Sequence, residues 1–195
     1  MRKKLGLWLA VSAMALGMVS TAEAVTISLV PNANSVPVGG LLAVDVVASD
    51  LGGSAVAAFD VNVDFDPSVV TFESIVFGTG LDLGTFGSST DVDAETVGQV
   101  NVYELSFELT EDLETLQPDG AFTLFTVLFK GFGAGANGLI SVSPLSIASA
   151  AGDAMAAVAR SPISVGVTPV PLPAAAWLLM SGLVGVARFS RSRRH

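Results

Sequence analysis

The chain has 195 residues and predicts an all-β sandwich over residues 25–169, flanked by a helical segment at each end. Three observations carry that expectation. Phe59, Val61, Val63 and Phe65 alternate strictly with Asp60, Asn62, Asp64 and Asp66, the period of two that marks a half-buried strand. Short β-branched runs recur between clusters of Gly, Pro, Asn and Asp. Nothing between the two ends has the 3.6-residue periodicity of a long amphipathic helix.

Thr26–Val30 is the first strand, closed by Pro31-Asn32. The turn Pro37-Val38-Gly39-Gly40 leads into a strand through Leu42, Val44 and Val46. After the alternating strand, Asp66-Pro67-Ser68 reverses the chain and Val69–Val76 returns. Between Val97 and Leu109 the apolar parity changes, from Val100 and Val102 to Tyr103, Leu105, Phe107 and Leu109, which predicts a β-bulge near Val102. One helical turn is expected near Glu111–Thr115. Ala121–Phe129 is apolar on both parities and predicts a central strand covered on both sides. Leu139–Val142 and Ile163–Val167 complete the set, with further turns at Gly52-Gly53-Ser54, Gly84–Ser89, Gln117–Gly120 and Gly131–Gly138. A body of about 145 residues buries roughly two-thirds of its unfolded surface, so it needs no disulfide.

Apolar residues make up 51 % of the chain and charged residues 14 %, too hydrophobic a balance for disorder. The net charge is -9, and it is unevenly spread. Residues 25–169 hold all 18 acids except Glu23, against only Lys130 and Arg160. That acidity excludes nucleic acid as a partner, because phosphate binding needs a cationic surface. The single histidine is His195, Trp8 and Trp177 lie in the ends, and there is no cysteine. The body therefore lacks the residues of a Ser-His-Asp or Cys-His nucleophile, of a common zinc site and of a disulfide framework.

Acids alone could serve glycoside hydrolysis, but that requires two of them to converge in a cleft. With one tyrosine, Tyr103, and no tryptophan to line such a cleft, no enzymatic activity is expected. Asp91-Val92-Asp93-Ala94-Glu95 has a D-x-D-x-E spacing that suits Ca2+, but it lacks the glycine and distal glutamate of an EF-hand loop and reads first as a solvated acidic loop. Glu111, Asp112 and Glu114 read the same way. No other cofactor is expected.

Residues 1–24 have the three parts of a secretory signal peptide. Arg2, Lys3 and Lys4 are the basic region, Leu5–Val19 the apolar region, and Ala22-Glu23-Ala24 the cleavage site, leaving Val25 first. At the other end, Val170-Pro171-Leu172-Pro173 is stiff and extended. Ala174–Ala187 is an uncharged apolar run, and Arg188, Arg191, Arg193 and Arg194 follow. Fourteen residues at ~1.5 Å each span roughly 21 Å against a hydrocarbon core of ~30 Å. Leu172 and a snorkelling Arg188 extend that to a thin transmembrane crossing, with both basic clusters in the cytoplasm.

Residues 170–195 resemble a PEP-CTERM sorting signal, through Val170-Pro171-Leu172-Pro173-Ala174-Ala175-Ala176-Trp177-Leu178-Leu179, Ser181-Gly182-Leu183 and the terminal arginines. Leu172 stands where the family's namesake glutamate does, as in its Val-Pro-Leu-Pro-Ala-Ala variant. The resemblance implies sorting by an exosortase in a Gram-negative bacterium that makes extracellular polysaccharide. It implies export across the inner membrane, transient anchoring, and delivery to the cell surface or matrix.

The body resembles a bacterial cohesin module. The resemblance rests on Ala57-Ala58-Phe59-Asp60-Val61-Asn62-Val63-Asp64-Phe65-Asp66-Pro67-Ser68-Val69-Val70, on Gly78 after Ile75-Val76-Phe77, and on Phe122–Lys130 followed by Gly138–Val142. It implies a jelly-roll sandwich of about nine strands that binds a dockerin-like protein in trans on one sheet face. Asp60, Asn62 and Asp64 share one face of a strand, where they need no function; the resemblance makes them candidates for that partner face. The chain is thus expected to act in adhesion or scaffolding through protein partners. The alternative is a carbohydrate-binding module holding extracellular polysaccharide, for which Tyr103 or a phenylalanine must line an exposed face.

Overall fold

The computed structural model of the chain describes residues 24–170, together with Leu179 and Gly182. Ala22, Pro171, Leu172, Pro173, Arg188, Arg191, Arg193 and Arg194 lie outside the described residues, as does nearly all of both expected helical ends. Among the described residues, no helix is long and apolar enough to cross a membrane.

Eleven strands and one short helix follow in order: β1 (Val25–Pro31), β2 (Ser35–Pro37), β3 (Leu41–Ser49), β4 (Val56–Phe65), β5 (Val70–Phe77), β6 (Ser88–Asp93), β7 (Gln99–Ser106), α1 (Thr110–Leu116), β8 (Ala121–Gly131), β9 (Asn137–Ser149), β10 (Ala157–Ala159) and β11 (Ile163–Thr168). They form a five-stranded sheet, β10-β1-β3-β8-β5, and a six-stranded sheet, β2-β11-β9-β4-β7-β6. The chain changes sheet at every step except the β6–β7 hairpin. Pairing is antiparallel apart from β1 with β10 and β11 with β2. These two three-residue strands take the count above nine; they are too short to show a period in the sequence.

The core is one continuous cluster between the sheets. Period-two alternation supplies it: Leu42, Val44, Val46 and Ala48 point inward from β3, and Phe59, Val61 and Val63 from β4. Phe59 stacks on Phe125 across the sheets, with ring centroids 5.5 Å apart. Phe65 meets Phe129 at 5.1 Å in a tilted arrangement.

Two expectations about parity are corrected. β7 has no bulge near Val102; its pairing with β4 and with β6 runs without a register shift. The inward face continues as Val100, Val102, Glu104 and Ser106, and the last two are polar, so the apolar residues 103 and 105 had merely marked the outer face. β8 is apolar on both parities for a different reason from burial on two faces. Val46 pairs with Phe125 and Val47 with Thr123, so Leu124 is an extra residue, and the inward set switches from Phe125, Val127 and Phe129 to Phe122. The bulge belongs to β8.

Candidate partner-binding face

β4 and β7 lie side by side in the six-stranded sheet and present Asp60, Asn62 and Asp64 outward opposite Tyr103, Asn101 and Gln99. All six are half-buried by their neighbours. Asn101 Nδ2 donates to Asp60 Oδ1 at 2.6 Å and to Asn62 Oδ1 at 2.9 Å, while Gln99 Nε2 donates to Asp64 Oδ1 at 2.7 Å. Cross-strand amides thus fix the three candidate residues in place. On the other flank, β9 sets Ser146, Ser143 and Ser141 opposite the same three positions.

The same face changes character along β7. Tyr103 and Leu105 point outward, and Phe107 and Leu109 follow them with about half their surface exposed. Leu145, the extra residue of a β9 bulge opposite Asp60–Val61, is exposed as well. One half of the face is therefore polar and acidic, the other apolar. The Asp91-to-Glu95 segment is not a free loop: Asp91 and Asp93 lie on edge strand β6, opposite Tyr103 and Asn101. Among the described residues, no three acidic side chains stand together as metal ligands.

Glu104 and Glu108 escaped the sequence reading, although they continue the even parity of Val100 and Val102. Glu104 is buried, and Ser88 Oγ donates to its Oε1 at 2.7 Å. Burial pushes its carboxyl above the usual range against the pull of the Ser88 bond, and the Asp82 charge adds to the rise. Glu108 Oε1 accepts the N–H groups of Leu83, Thr85, Phe86 and Gly87 at 3.0–3.2 Å. Burial acts upward on that carboxyl too, but those four backbone donors outweigh it and hold it low. Away from the polar face, an open cleft of about 900 Å3 lies between residues 78–84, the end of α1 and β8, with Asp45 and Asp82 on its wall.

No family model matches the chain, and no curated protein matches it. Solved structures do. A cohesin module from a family 33 glycoside hydrolase of Clostridium perfringens superposes with a TM-score of 0.60 at 11 % identity, covering 76 % of this chain and 99 % of that one. The fold is cohesin-like. A type II cohesin domain from the cellulosome of Acetivibrio cellulolyticus gives 0.59 at 16 %, over 73 % and 95 % of the two chains. The sixth cohesin of scaffoldin B from the same organism, solved in complex with a Cel5 dockerin, gives 0.57 at 15 %, over 75 % and 99 %.

Proposed function

We propose that the chain is a non-catalytic, exported cell-surface protein whose cohesin-like sandwich holds a protein partner on the outer face of β9, β4, β7 and β6. The observation that carries this reading is the ordered ladder of Asp60, Asn62 and Asp64 with Asn101 and Gln99, beside an exposed apolar strip. A binding surface needs both features: apolar area supplies affinity, and fixed polar groups supply register. Complexes of similar folds with dockerins support a dockerin-like partner. The acidity of the body favours a partner with basic residues around its apolar contacts.

Export and sorting complete the proposal. Val25 is fully buried as the first residue of β1, and its N–H donates to the Ala156 carbonyl at 2.8 Å, so the sandwich begins where the signal peptide is expected to end. An exosortase would then process the 170–195 signal. Replacing Pro171 and Pro173 with Ala should leave the precursor unprocessed on an immunoblot; normal processing of that variant removes the sorting step.

The partner test is a pull-down from envelope and secreted material of the producing organism with the tagged full chain, with and without Ca2+. A set of proteins retained by the wild type and lost with the triple variant Asp60→Ala, Asn62→Ala, Asp64→Ala supports the reading. Equal retention by both chains removes the face. A second reading has its own observation: Tyr103 and Phe107 share the exposed face, the condition for stacking sugar rings. Retained polysaccharide without protein selects that reading, a module holding the extracellular matrix.

A further inference from the structure

The strands of both sheets run between two ends of the sandwich, and the chain leaves by one of them. β11 ends there at Thr168, whose carbonyl accepts the Val38 N–H at 3.0 Å. Around this exit the turn after β2, the turn after β4 and the loop after β8 are knit together. Gly39 N–H donates to the Gly131 carbonyl at 2.8 Å, and Gly131 N–H to the Gly40 carbonyl at 2.9 Å. Phe132 N–H reaches the Val69 carbonyl at 2.8 Å, and Gly135 N–H the Val167 carbonyl at 2.7 Å. The β6–β7 turn lies beside them, because Phe65 N–H donates to the Gly98 carbonyl at 2.8 Å.

This end turns large apolar side chains to solvent. Phe132 is 63 % exposed and Val97 85 %, and Val38, Leu41 and Val170 are exposed with them. The loop 132–136 and the turn 38–40 hold no charged residue. Among the described residues, the acids of these connections are Asp66 and Glu95, and Asp66 is engaged within its own turn: Ser68 N–H and Oγ donate to its Oδ1 at 2.9 and 2.6 Å. The opposite end, where β1 begins at Val25, is the reverse. Asp50, Glu111, Asp112, Glu114, Asp119 and Asp153 crowd its connections. The charge of the body is thus polarised along the strands.

What covers the apolar end follows from the chain beyond Val170. Ala174–Ala187 is the uncharged run, followed by arginines, that the sequence reads as a thin transmembrane crossing, and only residues 169–173 separate it from β11. At most ~3.6 Å per residue, they keep Thr168 within roughly 22 Å of the start of that run. A crossing there holds this end of the sandwich at the bilayer surface. Apolar, nearly uncharged connections with an exposed aromatic ring suit the lipid interface, whereas anionic headgroups repel the acidic end.

We propose that the 37–40 and 131–136 connections form a membrane-facing end, with Phe132 in contact with lipid, on which the sandwich stands while residues 170–195 anchor it. This orientation rests on residues 174–187 crossing the bilayer, and it deepens the proposed function. With the strands upright, the outer face of β9, β4, β7 and β6 looks sideways, clear of lipid and open to a partner.

The chain has no cysteine, so single-cysteine variants of the full chain carry a fluorophore at chosen points. Ala134→Cys reports the exit end, Asp119→Cys the opposite end and Ser181→Cys the apolar run. Each is placed in vesicles of phosphatidylethanolamine and phosphatidylglycerol, with brominated lipid as quencher. Quenching at position 134 should exceed that at 119 severalfold, and Phe132→Asp, a change at an exposed position, should at least halve it without altering thermal unfolding. Quenching at 181 but not at 134 overturns the membrane-facing end and leaves the anchor standing. No quenching at 181 removes the anchor, and the membrane-facing end with it. Quenching at 119 in place of 134 overturns the orientation as well, since the chain is then held from its signal-peptide end. A blue shift at 134 that needs no lipid and grows with protein concentration overturns it in favour of contact between copies.

Discussion

Gln117 ends α1 at the junction of both sheets, and replacing it with leucine is the sharpest test of how the face-bearing strand is held. The side chain is 5 % exposed and makes three hydrogen bonds. Val56 N–H donates to its Oε1 at 2.7 Å, and its Nε2 donates to the carbonyls of Val56 at 2.9 Å and Gly80 at 3.0 Å. It thus ties the start of β4, which carries Asp60 to Asp64, to the loop that precedes Asp82. Leucine has a similar volume, so Gln117→Leu adds little cavity cost and isolates the polar contribution. Three bonds are lost at about 1 kcal/mol each, and the stranded N–H and carbonyls add their desolvation, giving about 3–5 kcal/mol in all. Urea denaturation should show that loss at unchanged m, with a midpoint lower by about 10 °C on heating. A loss below about 1 kcal/mol would refute the reasoning, since water would then be replacing all three bonds. Gln117→Glu sharpens the result. The new carboxylate faces two carbonyl oxygens, so that variant should be at least as unstable at pH 7 and should recover stability in acid, where a protonated carboxyl donates again.

Gly78 admits no side chain, because a Cβ there would run into the Thr123 carbonyl of β8, whose neighbour Leu124 accepts the Gly78 N–H at 2.8 Å. Gly78→Ala should lower the unfolding midpoint by about 5 °C or more, read by circular dichroism against a Gly120→Ala control, whose Cβ meets open space. Glu104 predicts a pH dependence of stability. Its folded-state pKa is raised, so the native state binds the extra proton between the unfolded value near 4.5 and the raised value, and stability falls as pH rises through that window. The slope should vanish in Glu104→Gln; a slope that persists there places its origin in another group.

The strands that alternate were legible because one face of each meets the core and the other meets water. The sequence places β1, β3, β4, β5 and β11 within a few residues, and α1 nearly to its ends. What misled was polarity inside the core. A parity change has two physical causes, an extra residue in the ladder or a polar residue on the inner face, and periodicity alone does not separate them. At β7 the cause is Glu104 and Ser106; at β8 it is the extra residue Leu124. β6 is legible only as turn and acidic loop, because an edge strand with almost every residue exposed has no buried period to display. The outward triad at Asp60, Asn62 and Asp64 followed from alternation, whereas its amide partners Asn101 and Gln99 required the strand order.

The acids of this chain are better understood by position than by number. Asp91 and Asp93 lie on an edge strand whose unpaired backbone would otherwise template aggregation, and charge at such an edge resists strand addition by another copy. That role accounts for the D-x-D spacing without calcium. Asp60 and Asp64 are different: they lie inside the sheet, beyond need of edge protection, and amides hold them rigid. Order of that kind costs side-chain entropy during folding and lowers the entropy lost on binding, which is the economy expected of a recognition surface. Glu104 and Glu108 form a third class, buried at the side of the sandwich, and the loop is organised around them through the Ser88 hydroxyl and four backbone N–H groups. A fold tolerates such residues only where something compensates their charge. Edge protection, partner register and the buried contacts of the loop therefore make different demands on the same residue types.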